Sequence, residues 1–211
     1  MRVEVFADVL CPWSFIGKRR LAAALARVAD REQVEVVWRS YELAPEQGRA
    51  PGPTAAEAMA QWWGEQAPAR IARIQAGGSA DELELNLHVA RPVNTFDAHR
   101  LIHLAAQRGL AEEMMERLLH GYHTEGLNVA DPQVLARLGV EAGLDATEVR
   151  ALLTGDAHAD SVRADERRAT ELGVTSVPSV VIDGTPLVSG VQPPTELHRL
   201  IEHALAASRT T

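Results

Sequence analysis

The opening of this chain carries a strand pattern, a helix pattern and a second strand pattern in direct succession. Residues 3–7 alternate apolar and charged side chains, and apolar residues then recur at helical spacing over residues 21–28. The β-branched residues of segment 34–38 predict another strand. Two strands joined through a helix run parallel in one sheet, because the crossover returns the chain to the edge where it started. The sequence therefore predicts an α/β fold with helices packed on a sheet.

The only cysteine of the chain, Cys11, lies in the turn between the first strand and the first helix. Pro12 suits the first helical position, where no amide hydrogen is needed. Unpaired N–H groups and the dipole at a helix N-terminus stabilise a thiolate, so we expect a lowered pKa for Cys11. A lone cysteine is more commonly a small buried hydrophobe without chemistry. The strand–Cys-Pro–helix setting favours a reactive nucleophile instead.

The fourth residue of the Cys-Pro-Trp-Ser motif is Ser14, where dithiol redox proteins carry a second cysteine. No disulfide can form within the chain, so only an external thiol can resolve a mixed disulfide on Cys11. The Ser14 hydroxyl is suited to donate a hydrogen bond to the thiolate. Trp13 either shields the sulfur and contacts substrate or serves only in packing.

The strand patterns disappear in the middle of the chain. Residues 45–53 are rich in proline and glycine and predict a loop. The region 53–157 then contains amphipathic helical patterns without strands, and we expect Gly77 and Gly78 to end one of these helices. A block of this length exceeds an ordinary connection, so we interpret it as a helical insertion.

Strand patterns return near the end of the chain. Segments 179–182 and 186–189 read as strands, and Asp183-Gly184 between them predicts a hairpin turn. An amphipathic helix over residues 197–205 follows. The predicted order is β-α-β, a helical insertion, then α-β-β-α.

This order, with a Cys-Pro turn near one end and Val177-Pro178 before a hairpin at the other, is the layout of a thioredoxin fold. Residues 8–21 resemble the active-site segment of FrnE-like proteins in the DsbA family. Other segments resemble recurring blocks of that family in the same order: residues 94–95, 98–101, 173–179 and 189–193.

The resemblance implies a thioredoxin fold interrupted by a large all-helical insertion. We expect residues 1–48 and 158–211 to form the thioredoxin-like domain and residues 49–157 to form the insertion. The resemblance also implies a cis peptide bond at Val177-Pro178 facing Cys11. The Val177 backbone would then pair with a bound thiol compound or an extended peptide.

The predicted site has two groups of residues. The catalytic group is Cys11, Ser14 and Pro178. The substrate-binding group is Pro12, Trp13, Val177, His99, Asn94 and Gln192. Three members also have ordinary structural explanations: Asn94 suits a helix cap, Gln192 follows a turn, and His99 suits a polar helix face.

Three functions remain open at this point. The first is thiol–disulfide exchange or disulfide isomerisation through Cys11 alone. The second is a glutathione-dependent isomerase or transferase acting on a small aromatic or polyketide-like molecule. It follows from a resemblance to kappa-class glutathione transferases and 2-hydroxychromene-2-carboxylate isomerases, whose motif begins with serine where this chain has Cys11. The third is a binding module without redox activity.

Charge and composition restrict the partners. The net charge is −8 and the one basic run, residues 18–20, reads as a solvated helix face, which argues against nucleic acid and membrane partners. The histidine pairs on the predicted helices lack a carboxylate that would complete a metal motif. We expect no metal and no tightly bound cofactor, with glutathione or another small thiol as candidate co-substrate. A cytoplasmic location is expected, since no signal-peptide pattern is present; a homodimer is left open.

Overall fold

A mixed four-stranded sheet lies at the centre of the computed structural model, which describes residues 1–183 and 186–208. Its strands are β1 (Arg2–Ala7), β2 (Glu35–Ser40), β3 (Ser179–Ile182) and β4 (Val188–Ser189). Their order in the sheet is β2-β1-β3-β4. β1 is parallel to β2 and β3 is antiparallel to β4, which confirms both predicted pairings. β3 is also antiparallel to β1, a pairing that the sequence did not predict. β4 begins two residues later than predicted, and Gly184 of the predicted turn lies outside the described residues.

Helices cover this sheet and form the insertion. They are α1 (Pro12–Leu25), α2 (Ala55–Trp63), α3 (Ala67–Ala80), α4 (Phe96–Gln107), α5 (Ala111–His123), α6 (Pro132–Glu141), α7 (Ala146–Thr154), α8 (Ala159–Glu171) and α9 (Pro194–Ser208). Helices α2 to α7 lie between β2 and α8 without an intervening strand in the described chain. This confirms an α/β thioredoxin fold with an all-helical insertion. None of the described helices is long and apolar enough to span a membrane.

One hydrophobic core passes through the sheet and the insertion. Val5 of β1 and Ile182 of β3 belong to the same cluster of buried side chains as Leu118 of α5 and Leu135 of α6. Burial of apolar side chains is the main favourable contribution to folding, so the sheet and the insertion stabilise each other. The division at residues 48 and 158 stays a prediction.

Two glycines of α3 correct a sequence-based expectation. Gly77 and Gly78 do not end the helix, which continues to Ala80. A Cβ at Gly77 would lie 3.2 Å from both Trp13 and Ile16, and one at Gly78 would lie 2.6 Å from Leu85. The glycines therefore serve close packing, which a scan for turn residues cannot distinguish from a helix end.

The basic run at residues 18–20 is also not a fully solvated face. Lys18 is buried between α1 and α5, with its Nζ 2.5 Å from Glu112 and 2.8 Å from Glu116. Arg20 pairs with Asp81 at 2.7 Å, beyond the end of α3. These ion pairs attach α1 to the insertion at two places. The prediction of a solvated helix face was therefore wrong for Lys18.

His123 closes α5 in a fully buried position. Its ring stacks on Phe15 of α1 at a centroid distance of 6.0 Å and meets Tyr122 edge-on at 4.8 Å. Neither ring nitrogen has a hydrogen-bond partner among the described residues. Burial lowers the pKa of His123 to about 4. The backbone of Val9 and Cys11 and the charge of Asp8 favour the protonated ring, but their effect on the pKa is weaker than that of burial. The imidazole is therefore neutral in the folded protein at pH 7.

We predict that His123 makes the protein sensitive to acid. The unfolded chain takes up a proton near pH 6.5 and the folded chain only near pH 4, so this stabilisation is complete above pH 6.5 and lost as pH falls towards 4. The loss amounts to about 3 kcal/mol. Urea unfolding of His123→Leu from pH 7 to pH 4 should show a correspondingly smaller decline than the wild type.

The matched control is His203→Gln on α9, where the histidine is exposed. That variant should keep the wild-type pH dependence of unfolding free energy. An equal acid sensitivity of wild type and His123→Leu would contradict the assignment.

Candidate active site

Cys11 connects β1 to α1 and faces the segment that precedes β3. Its thiol donates a hydrogen bond to the Val177 carbonyl over 3.4 Å, and only 5% of the residue is exposed. Ser14 donates its backbone N–H to the Cys11 carbonyl at 2.9 Å, which begins α1 with Pro12 in its first turn. The Val177-Pro178 peptide bond is cis, as the family resemblance implied. The structure thus brings together Cys11, Val177 and Pro178.

Gly17 on α1 makes this approach possible. A Cβ on Gly17 would lie 2.9 Å from Cγ of Pro178, closer than packed carbon atoms approach. A larger residue would push α1 away from the proline. Gly17 is therefore a site-positioning residue that the motif analysis did not single out.

The electrostatics of Cys11 differ from the sequence-based expectation. Burial, with a smaller contribution from the charge of Asp8, raises the pKa of the Cys11 thiol to about 11. A thiolate on Cys11 would accept hydrogen bonds from Ser14 and the backbone of Trp13, and this effect lowers the pKa without offsetting burial. The predicted lowering of the pKa is wrong, because the helix N-terminus was weighed without the desolvation that tertiary packing imposes.

Ser14 occupies the position predicted for a partner of the sulfur. It is only 1% exposed, and its Oγ has no hydrogen-bond partner among the described residues. The same hydroxyl lowers the pKa of Cys11. A buried hydroxyl without a partner is costly in the resting thiol state, and a thiolate on Cys11 would satisfy it.

A buried pair lies behind the motif. Asp8 is fully buried, and its Oδ2 accepts a hydrogen bond from the backbone of Leu43 at 2.6 Å. His99 of α4 lies with Nε2 at 3.4 Å from Asp8 Oδ1 and is 1% exposed. The structure therefore brings His99 to Asp8 rather than to the cleft surface, where substrate contact was predicted.

Trp13 lines two clefts that reach other site residues, one bordered by Cys11 and one by Val177 and Pro178. The first has a volume of about 390 Å³, and Cys11 lies on its wall. Its mostly apolar lining also includes Leu10, Pro12, Leu43, Met59, Trp62, Trp63, Ile74 and Tyr122. Trp62 and Trp63 at the end of α2 both lie at this cleft. We refer to this space as the apolar cleft.

The second cleft has a volume of about 650 Å³ and lies between α3 and the cis-proline segment. It is lined by Trp13, Arg20, Arg73, Ala76, Gly77, Ser176, Val177, Pro178, Gly190 and Val191. We refer to it as the cationic cleft, because arginines are the only charged residues in its described lining. Arg73 was not identified by sequence analysis, since nothing in the local pattern shows that α3 packs over Trp13.

Two predicted substrate-binding residues are engaged elsewhere and line neither cleft. Asn94 accepts a hydrogen bond from the Phe96 N–H at 3.0 Å and donates to the Pro45 carbonyl at 3.1 Å. The Gln192 amide donates to the Ser189 carbonyl at 3.0 Å within its own turn. The capping and turn explanations therefore account for the observed contacts of both side chains.

Two histidines outside the site form pairs with carboxylates. His103 lies 3.1 Å from Asp165, and His120 lies 2.8 Å from Glu125. Within residues 1–183 and 186–208, no group of three or more His, Cys, Asp or Glu side chains is arranged to hold a metal ion.

Several known proteins are similar to this chain in sequence or structure. The model of the DSBA-like thioredoxin domain matches residues 2–202. A probable DsbA oxidoreductase from Streptomyces coelicolor is 39% identical, with a TM-score of 0.90 over 98% of this chain and 90% of that chain. A 2-hydroxychromene-2-carboxylate isomerase is 17% identical, with a TM-score of 0.70 over 100% of this chain and 96% of that one. The cytosolic disulfide reductase DsbM from Pseudomonas aeruginosa is 19% identical, with a TM-score of 0.68 over 98% and 100%.

We predict that alkylation of Cys11 by iodoacetamide accelerates steadily with pH. A pKa of about 11 leaves the thiolate scarce at neutral pH, and the thiolate is the reactive form. The rate constant should rise about tenfold per pH unit from pH 7 to pH 10. Since the chain has no other cysteine, mass spectrometry of the intact protein reports this reaction directly; a plateau below pH 8 would contradict the raised pKa.

Asp8→Asn should lower the pKa of Cys11, because it removes the negative charge that opposes the thiolate and keeps an oxygen for the Leu43 N–H. Alkylation at pH 8 should accelerate about threefold to tenfold. Ser14→Ala is the matched control and should slow the reaction, since it removes a donor to the thiolate. Acceleration in both variants would instead show that loosened packing exposes the sulfur.

Proposed function

This chain belongs to the DSBA-like thioredoxin domain family, and we propose that it performs thiol–disulfide exchange through Cys11 alone, with a small external thiol as resolving partner. The observation that carries the proposal is the 3.4 Å contact between the Cys11 sulfur and the Val177 carbonyl, directly before the cis-proline. Catalysis of exchange requires a sulfur beside a surface that holds the other half of a disulfide. Val177 and both clefts supply that surface.

In the first step the Cys11 thiol loses its proton to solvent and attacks one sulfur of a substrate disulfide. A new disulfide bond forms between Cys11 and that sulfur while the original bond breaks. The departing thiolate keeps the bonding electron pair and takes up a proton from water. Ser14 supports this step, because its unpartnered hydroxyl donates to the sulfur when the sulfur carries charge.

In the second step an external thiolate attacks the mixed disulfide and expels Cys11 as a thiolate, which is then protonated. Each step replaces one disulfide with another, so no further oxidant or reductant is needed. The absence of a second cysteine assigns resolution to a thiol from outside the chain. We therefore propose that the protein works in a reducing compartment, such as the cytoplasm, where small thiols are abundant.

The raised pKa indicates the direction of exchange. A thiol of high pKa is a good nucleophile once ionised and a poor leaving group, so it favours the mixed disulfide over the free thiolate. Strongly oxidising members of thioredoxin-like families rely on the opposite property, a stabilised thiolate. The buried Cys11 is therefore better suited to reduce a substrate disulfide, by bonding to one of its sulfurs, than to oxidise substrate thiols.

The backbone of Val177 provides a place for substrate. Its carbonyl accepts from the Cys11 sulfur, while its N–H donates no hydrogen bond within the described chain. An extended thiol compound or peptide is able to pair with such a free strand edge irrespective of its side chains. A substrate bound there would replace the resting contact between Cys11 and Val177.

The apolar cleft favours a second candidate, a thiol-dependent isomerase or transferase for a small apolar molecule. Cys11 opens onto this cleft of about 390 Å³, whose walls include Trp62 and Trp63. Pockets of this size and composition commonly bind small organic ligands. In this case a bound thiol would activate the ligand, and the reaction would survive replacement of Cys11.

We expect Cys11→Ser to abolish exchange between a dansylated mixed disulfide and glutathione, because the attacking sulfur is gone. Wild-type protein should form a covalent adduct detectable by intact mass and released by added glutathione. Stoichiometric binding of glutathione with no adduct in the wild type would contradict exchange and favour the isomerase or transferase.

Ser14→Cys should convert the protein to a dithiol, because its side chain would replace the hydroxyl that faces the Cys11 sulfur. Mild oxidation should then remove two hydrogen atoms, seen as a mass decrease that dithiothreitol reverses. Ser14→Ala under the same conditions is the control and should show no such change. Two thiols that stay free in Ser14→Cys would contradict the assigned orientation of residue 14.

A further inference from the structure

The cationic cleft differs in charge from the protein as a whole. The chain has a net charge of −8, yet the cleft lining contains Arg20 and Arg73 and no acidic residue. Arg20 is neutralised by Asp81 at 2.7 Å. The remaining positive charge of this cleft therefore belongs to Arg73.

Arg73 has no carboxylate partner in the described part of the chain. Its guanidinium carbon lies 5.8 Å from the ring centroid of Trp13, over the aromatic face. Such a contact leaves the N–H donors on the guanidinium edge available. Nearby Arg70 stacks on Trp63 at 4.9 Å and bonds Gln66, and it lies outside the cationic cleft.

The position of Arg73 relative to the sulfur is set by close packing. Gly77, one turn further along α3, allows the helix to contact the Trp13 ring, where a Cβ would lie 3.2 Å from it. Trp13 in turn follows Cys11 by two residues at the start of α1. Arg73 and Trp13 therefore line the same cleft as Val177, whose carbonyl accepts the hydrogen bond from the Cys11 thiol.

We propose that Arg73 binds the carboxylate of an anionic thiol whose sulfur exchanges at Cys11, and so makes the reaction selective for anionic over neutral disulfides. Guanidinium groups bind carboxylates through paired hydrogen bonds, and Arg73 carries free donors with no competing acid. This inference rests on the proposed exchange function for its sulfur step. The carboxylate recognition itself is independent of that chemistry.

The kinetic test uses two chromogenic disulfides, anionic dithiobis-nitrobenzoate and neutral dithiodipyridine. For each disulfide, the rate constant of the variant is divided by that of the wild type. Arg73→Gln should slow the anionic probe about fivefold to tenfold, the loss expected for one charge-assisted contact. The neutral probe should slow by twofold or less. Arg73→Lys should recover part of the loss, and Arg73→Glu should increase it.

The control is Arg137→Gln on α6, which makes the same change in net charge at an exposed side chain. It should leave both ratios near one. Equal slowing of both probes by Arg73→Gln would overturn the proposal and assign Arg73 to packing on Trp13. Equal slowing of the anionic probe by Arg137→Gln would overturn it as well, since net charge would then be the cause.

A binding test separates this inference from the exchange reaction. Calorimetry with S-methylglutathione, which has carboxylates but no free thiol, should show weaker binding by Arg73→Gln than by wild type. The dialkyl ester of the same probe should not distinguish the two proteins. If wild-type Cys11 reacts with neither disulfide, the proposed exchange function is wrong, but the binding result still decides the role of Arg73. Equal affinity of the wild type for the acid and for its ester would overturn the proposed role of Arg73.

Discussion

The contact between the Cys11 sulfur and the Val177 carbonyl joins parts of the chain that are 166 residues apart. It depends on the antiparallel pairing of β1 with β3, in which Phe6 lies opposite Ser179. That register carries the residues after β1 and the residues before β3 to the same end of the sheet. Gly17 then lets α1 approach Pro178. The site therefore exists only after the two ends of the chain have paired across the helical insertion.

The same packing that assembles the site also suppresses its reactivity. Burial holds the thiol in its protonated form, and the buried carboxylate of Asp8 adds to this effect. Ser14 acts in the opposite direction but has less influence. A protected sulfur of this kind loses speed at neutral pH and gains resistance to adventitious oxidation, because oxidation requires thiolate character and exposure. The balance between burial, the charge of Asp8 and the hydroxyl of Ser14 therefore sets how reactive Cys11 is.

Local patterns were sufficient to predict the order of elements and the parallel β1–β2 pair, because hydrophobic periodicity reflects which face each element buries. The cis bond before Pro178 came from family resemblance, whereas the nucleophile role of Cys11 followed from its position at the start of a helix. The raised pKa of Cys11, the course of α3 through Gly77 and the burial of Lys18 were not predictable in this way. Each depends on which distant side chains pack nearby, and the same residues would also suit an exposed turn or a solvated helix.

The shared hydrophobic core restricts how substrate reaches the sulfur. A lid that has a hydrophobic core of its own can move as a rigid body. Helices α5 and α6 instead contribute side chains to the same buried cluster as the sheet. Hinged opening would expose that core to water at a large free-energy cost. Access to Cys11 then depends on the side chains that line the apolar cleft, among which Trp62 is 64% exposed. Entry to the site is then a matter of side-chain rotamers, which exchange far faster than domains move.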